Sequence, residues 1–242
     1  MNRKIAIRIG QMQRRLMQQR RIAHTLVSFV SHLEGDSTLL NVLRRVLFPH
    51  NYASIRLRAT GDVRNIVYFD LETMRAADEV GGWKHIDKMG MSIGVTYSTG
   101  SGNYSIYQES EVNDLIEELQ RADLVVGFNH IRFGYEVLHG YTPLDLRQLP
   151  SLDLMVDLQQ KLSHRLKLDS IANATFGAEK IADGLQALKW FKQGKMMEIA
   201  EYCCYDVKIT KMVHEYGAEN GCVFYNNRFG KILNVDVDWS LD

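Results

Sequence analysis

From Asn65 onward the apolar residues follow two periods that predict an alternation of strands and helices. Asn65–Leu71, with its β-branched and aromatic residues, reads as a strand, and Thr73–Met89, of mixed polarity with Gly81 and Gly82 in tandem, as a loop. Met91–Tyr97 and Asn103–Tyr107 are two short strands separated by Ser-Thr-Gly-Ser-Gly, a hairpin turn. Glu111–Arg121 carries Val112, Leu115, Ile116 and Leu119 at helical spacing. Leu124–Phe128 is a fully apolar strand followed by a helix over Phe133–Gly140, and Leu152–Met155 is a further short strand. Three helices follow, over Leu168–Thr175, Leu185–Gln193 and Lys195–Glu219, with Gly221 as the stop of the last. Leu233, Val235, Val237 and Trp239 recur at period two and can close a hairpin with Cys222–Tyr225.

This order fixes an architecture. Strands joined by hairpins run antiparallel, and strands joined through helices run parallel by crossover. The expected fold is α/β: a mixed five-stranded sheet, three antiparallel strands and then two parallel ones, flanked by helices. In such sheets chemistry gathers at strand ends.

Length and composition add bounds. The chain has 242 residues, of which 45% are hydrophobic and 24% charged, a globular profile with room for a sizeable core. No apolar run reaches the length of a membrane span. Three cysteines, two of them adjacent, exclude a disulfide framework and a four-cysteine zinc site, and point to a reducing, cytoplasmic setting. The zero net charge conceals an asymmetry: residues 1–64 hold 12 basic and 3 acidic side chains, residues 65–242 hold 17 and 26. Residues 1–60 therefore form a basic extension, helical or disordered, with apolar residues near helical spacing over Gln11–Leu33 and Ser37–Leu47. It reads as a phosphate-contacting arm, an organellar transit peptide, or incidental sequence upstream of the true start. The second unit, residues 64–242, is the α/β domain with its C-terminal hairpin.

Candidate chemistry sits at the end of the first strand. Asp70 and Glu72 are two residues apart and so share a face. Two carboxylates closing an apolar strand repel one another and lose hydration, a cost that a hard cation such as Mg²⁺ or Mn²⁺ removes; a solvated strand end is the plainer reading. In the last helix Met196, Ile199, Ala200, Cys203 and Val207 form a buried stripe, with Tyr202 and Asp206 neighbours on its flank. Taken alone that pair reads as an exposed acid and a rim tyrosine. His130 and His164 read as polar surface residues. A phosphate-binding loop, a nucleophile elbow and a zinc-binding His-Glu-x-x-His helix are all absent from the sequence.

Together these segments resemble the DEDD superfamily of 3′→5′ exonucleases, which have a ribonuclease-H-like fold. Phe69-Asp70-Leu71-Glu72-Thr73 is similar to the first motif of that superfamily, Gly127-Phe128-Asn129-His130-Ile131-Arg132-Phe133 to the start of the second, and Tyr202-x-x-x-Asp206 to the third in its tyrosine variant. A closer resemblance, to bacterial YprB-like predicted exonucleases, rests on Ala77–Trp83, Ala182–Trp190 and Glu201–Cys203. The resemblance covers residues 65–240. It implies phosphodiester hydrolysis by two Mg²⁺ or Mn²⁺ ions at single-stranded DNA or RNA 3′ ends. Asp70 would bridge both ions, Glu72 and Asp206 would complete the first ion's shell, and Tyr202 would orient the attacking water. Asn129 and Phe133 would help position the terminal nucleotide; a strand-end turn hydrogen bond for Asn129 and a place in the core for Phe133 are the plainer readings.

The chain departs from that pattern at one point. The second motif normally continues Phe-Asp; here Phe133 is followed by Gly134, and Glu136 lies about 200° around a helix, a poor substitute. A glycine in place of the fourth acid weakens the second ion's hold, and Gly134 is expected near a helix start, opening toward the Asp70 cleft as a vacant ligand position. The alternative function is a catalytically impaired nucleic-acid-binding or helicase-associated module.

Overall fold

A computed structural model describes residues 64–178 and 184–240 of the chain. The extension over residues 1–60 and its expected helices lie outside the described residues, as do Ala182 and Asp183 of the segment quoted above.

The first strand, β1 (Ile66–Thr73), is the middle strand of the sheet and is covered on both faces. Ile66 and Tyr68 point into one core cluster, Val67, Phe69 and Leu71 into the other, so the near-continuous apolar run is what a strand buried on two sides requires. β2 (Met91–Ser98) and β3 (Asn103–Gln108) continue the sheet on one side by antiparallel pairing. β4 (Leu124–Gly127) and β5 (Ser151–Asp153) pair in parallel on the other. The order is β3-β2-β1-β4-β5, the ribonuclease-H-like mixed sheet expected from the sequence.

On the Phe69 face lie α1 (Val112–Gln120), through Val112, Leu115, Ile116 and Leu119, and the short α2 (Tyr135–His139). On the Tyr68 face lie α3 (Leu154–Leu162), α4 (Leu168–Phe176) and the long α6 (Met196–Asn220), whose Ile199, Ala200, Cys203 and Val207 form the buried stripe read from the sequence, continued by Val213. Met196 packs at its partly buried end. α5 (Gly184–Lys192) precedes α6. The expected closing hairpin is present as β6 (Cys222–Asn226) and β7 (Ile232–Asp236), a separate two-stranded sheet. The Ser170 and Thr175 hydroxyls of α4 bond the backbone of Asn226 and Phe224, and the Trp239 indole N–H donates to Asp157 at 2.9 Å.

Three local expectations are corrected. The segment between β1 and β2 contains 3₁₀ turns at Asp78–Val80 and Trp83–Lys88. The strand expected over Leu152–Met155 ends at Asp153, where α3, which the apolar run concealed, begins. His130 is buried, 3% exposed, within a π-helical turn over His130–Gly134 that precedes α2.

Asp153 organises that region. Its Oδ1 accepts the backbone N–H of Asn129 at 2.8 Å, Met155 at 3.1 Å and Val156 at 3.3 Å, and its Oδ2 that of Ile131 at 3.0 Å. One carboxylate thus caps α3 and holds the turn that leaves β4. The turn is tight: a Cβ on Gly127 would stand 2.7 Å from the His130 ring, so no larger residue fits there without displacing it. Asn129 takes a left-handed conformation (φ 64°), which asparagine tolerates better than most residues. Asp153→Ala strands four inward-facing N–H donors and is expected to cost about 3–5 kcal/mol, read as a lower urea midpoint at unchanged slope.

Candidate metal centre and cleft

The register of the sheet creates an opening beside β1. Phe69 pairs with Gly127, the last residue of β4. Beyond that point β1 continues through Asp70, Leu71 and Glu72 with β2 as its partner, while the other chain turns away at Phe128 and Asn129. The carboxyl end of β1 therefore borders a cleft of about 850 Å³, lined among others by Asp70, Glu72, Phe128, Asn129, Phe133 and Asp206.

Asp70 and Glu72 leave β1 on its Tyr68 face, the side covered by α6. Asp206 descends from α6, one turn beyond Cys203, whose Sγ lies 3.7 Å from Asp70 Oδ2. One carboxylate oxygen from each of Asp70, Glu72 and Asp206 can be chosen so that all lie within 4.8 Å of one another. The convergence expected from the motifs is met. Burial and the Asp206 charge hold the Asp70 carboxyl well above its ordinary range, against the weaker pull of the Leu71 backbone and the Cys203 thiol. Burial, Asp70 and Asp206 do the same to Glu72. Burial and the same acids push the unbridged Cys203 thiol up. Three oxygen donors with mutual repulsion in a water-poor setting fit a hard divalent cation, which would replace the protons the cluster otherwise retains.

Tyr202 stands one turn before Asp206 and hydrogen-bonds to its carboxylate. Burial, then the charges of Asp206 and Glu72, raise its pKa far above that of free tyrosine, so it is a phenol at any physiological pH. Its ring packs edge-on to Trp190 with centroids 6.4 Å apart. Asn129 and Phe133 line the cleft from the turn after β4. The Asn129 Oδ1 is buried and has no hydrogen-bond partner among the described residues.

Gly134 lies at a helix start, as expected, but does not open toward the Asp70 cleft. It is buried at the junction of the π-helical turn and α2, and a Cβ on it would point at Phe69, 3.0 Å from Cε1 and 3.5 Å from Cζ. Phe69 belongs to the core on the far side of β1 from Asp70. The missing side chain is thus a close-packing requirement against that core, and Gly134 is not a vacant ligand position opening on the cleft. Trp83, Arg75, Lys167 and Leu185, which sequence reasoning did not single out as site residues, do line the cleft. Their signal was composition at a loop and two helix starts, too weak to separate from ordinary surface.

No protein-family model matches the chain, and no curated protein matches it. Among solved structures the chain is similar to the family B DNA polymerase from the hyperthermophilic archaeon Pyrobaculum calidifontis, at 14% sequence identity and a TM-score of 0.49. The match covers 64% of this chain and 24% of the polymerase, so the chain spans about a quarter of that protein's length. Among the described residues no helix is long and apolar enough to cross a membrane.

The raised carboxyl pKa values have a definite sign. A carboxyl that binds its proton more tightly folded than unfolded destabilises the fold as pH rises from the unfolded value near 4 through the folded one. Without divalent cations the protein is expected to lose thermal stability from pH 5 to pH 8, and millimolar Mn²⁺ to restore it most at the alkaline end. Asp70→Asn removes one buried charge and should stabilise the cation-free protein at pH 8 by about 1–2 kcal/mol while shrinking the Mn²⁺-induced rise in Tm. Gly134→Asp should do the opposite of repairing a ligand set. It buries a carboxylate against Phe69 and is expected to cost about 2–4 kcal/mol, by urea denaturation, with no gain in Mn²⁺ affinity.

Proposed function

We propose that the chain is a Mg²⁺- or Mn²⁺-dependent 3′→5′ exonuclease acting on single-stranded DNA or RNA ends. The observation that carries this reading is the convergence of Asp70, Glu72 and Asp206, from the end of a central strand and from a helix far along the chain, onto one cleft. The resemblance to the tyrosine variant of the DEDD exonucleases supports the 3′→5′ polarity, and supports a YprB-like protein within that group.

The three carboxylates would hold the cation or cations. When bound, these lower the pKa of water at the site and neutralise charge on both the attacking and the leaving oxygen. The chain's own residues do the rest. Asp206 accepts the Tyr202 hydroxyl, which fixes the phenol beside the cluster. The phenol keeps its proton, so its role is to orient water through its oxygen lone pairs, and proton removal falls to the carboxylate cluster or to solvent. Asn129, its N–H bonded to Asp153, lines the cleft in a left-handed conformation and would help position the terminal nucleotide. Phe133 supplies an apolar surface to the terminal nucleotide. The basic residues 1–60 are assigned to backbone phosphate contacts, and three unbridged cysteines suit a cytoplasmic setting.

One observation favours a second reading, a nucleic-acid-binding module with impaired chemistry. Among the described residues the cation-type cluster contains three carboxylates, and Gly134 adds none. A helicase partner has no support from the geometry.

Purified protein should shorten a 5′-labelled oligonucleotide stepwise from its 3′ end in Mn²⁺ and not in EDTA. Asp70→Ala and Asp206→Ala are each expected to lose about 10²–10³-fold or more in rate, and Tyr202→Phe about 10²-fold. Tight binding with no shortening in any divalent metal would establish the second reading in place of the first.

A further inference from the structure

The mouth of the cleft carries an unusual display. Trp83 is 71% exposed and Leu185 is 67% exposed, although both belong to side-chain types that folding normally hides. Both line the cleft whose floor holds the three carboxylates, and so do the exposed cations Arg75 and Lys167, with the acids Asp78 and Asp169 on the same lining. Phe133, from the turn after β4, lies beside Trp83 with ring centroids 6.4 Å apart and planes 59° apart. The two rings are splayed and do not stack on one another, which leaves a face of the indole open.

The backbone that presents Trp83 is specified in detail. Gly81 has φ 92° and Gly82 has φ 104° with ψ 174°, a combination essentially restricted to glycine. The Gly82 N–H bonds Ala77 O at 2.6 Å, and the Glu79 carboxylate accepts both the Ala76 N–H and the Lys192 ammonium of α5, each at 2.8 Å. The segment returns to β2 through Met74 N–H to Gly90 O at 2.9 Å and Arg75 N–H to Met89 O at 3.1 Å. A segment tied at both ends, turning on two glycines and ending in an uncovered indole, is a preorganised apolar surface.

A ligand for the whole cleft must combine a flat apolar face for Trp83 with anionic groups for the cations at the rim and for divalent ions at the floor. Single-stranded nucleic acid meets all three demands. A base in duplex has both faces covered by its neighbours, whereas a base near a frayed or single-stranded end has one to offer. Resting on the nuclease reading of the floor, we infer that Trp83 is a stacking platform for an unpaired base near the 3′ end. It selects single-stranded over blunt duplex substrates and does so without regard to base identity, since every base has a π-face. Trp83 binds substrate and takes no part in the chemistry.

The test uses the full chain, wild type, W83A and W83F, and measures affinity by anisotropy. The probe is a labelled oligothymidylate whose last linkages are phosphorothioates, titrated in Mn²⁺, with a matching series bearing one abasic residue at each of the last four positions. W83A should bind roughly 5- to 150-fold more weakly, the range of one base–aromatic stack, and W83F within about threefold of wild type. At one position the abasic probe should cost the wild type a similar factor and cost W83A nothing further, a coupling that a merely structural tryptophan would not produce. Equal affinity of W83A and wild type, or an abasic penalty that persists in W83A, overturns the assignment. So does a wild type that binds no oligonucleotide but self-associates through a contact that W83A abolishes, which would make this face a protein interface. Because the readout is affinity, binding with the expected coupling together with failure to shorten an unmodified oligothymidylate in Mn²⁺ would overturn the nuclease reading alone and leave the stacking assignment standing.

Discussion

The rest of the structure is arranged around three carboxylates that would separate if they could. Asp70, Glu72 and Asp206 are drawn within 4.8 Å in surroundings poor in water, and each would be better hydrated on an open surface. What holds them is apolar. The stripe Ile199, Cys203 and Val207 on α6 packs against Ile66, Tyr68 and Val126 of the sheet in one continuous core, and Asp206 sits where that seam reaches the end of β1. α6 cannot slide to relieve the repulsion without exposing a turn of that seam. Burial of several large side chains at about 1.5–3 kcal/mol each outweighs repulsion of a few kcal/mol at the rim. The cost of the site is carried by the core beneath it, and a divalent cation removes that cost.

The opposite wall depends on a mismatch in strand length. β4 stops at Gly127 while β1 runs on to Thr73, so the cleft is in effect the space of the missing ladder. The backbone groups that leave the ladder are recaptured by Asp153, which takes N–H donors from both the turn after β4 and the first turn of α3. His130 fills the space beneath and stays neutral: burial lowers its pKa to about 4, against the opposing pull of Asp153. Neutral His214, hydrogen-bonded to the buried Tyr68 hydroxyl, behaves alike. The molecule therefore has two opposed titrations. Histidines that must remain neutral lose stability for it as pH falls below about 6.5, and carboxyls that would rather be protonated lose it as pH rises.

Much of this was legible in the sequence where a residue's type and its neighbours agree. β1 is readable because a strand covered on both faces has to be apolar throughout, and Asp70 and Glu72 stand out because they break that rule on one face. α3 was misread because Leu152–Met155 is equally apolar as strand or helix. The capping aspartate Asp153 and the i, i+4 pair Leu154 and Leu158 were the signals that decide it. Asp206 was not identifiable by spacing alone, since an acid on a helix flank is ordinary until the strand it faces is known; the motif resemblance supplied it. Gly134 was misassigned for the complementary reason. A motif gives the order of residues along the chain but not the direction of a Cα–Cβ bond, and here that bond would point at Phe69.

The count of charges explains why the cleft needs its rim. Three ionised carboxylates carry three negative charges. One divalent cation leaves the cluster negative overall, and such a floor repels a phosphodiester. Only a second divalent ion makes it attractive, and among the described residues the cluster offers three carboxylates to share between the two ions. In the proposed reaction binding of the second ion and that of the substrate phosphate therefore favour one another, by the reciprocity that governs any two ligands at linked sites. Until both are present the strand must be retained by something other than the floor. Arg75 and Lys167 give the backbone an electrostatic hold that weakens with salt, while Trp83 gives the base an apolar hold that does not. A floor of three carboxylates thus depends more heavily on its mouth, where a tryptophan and a leucine stand uncovered.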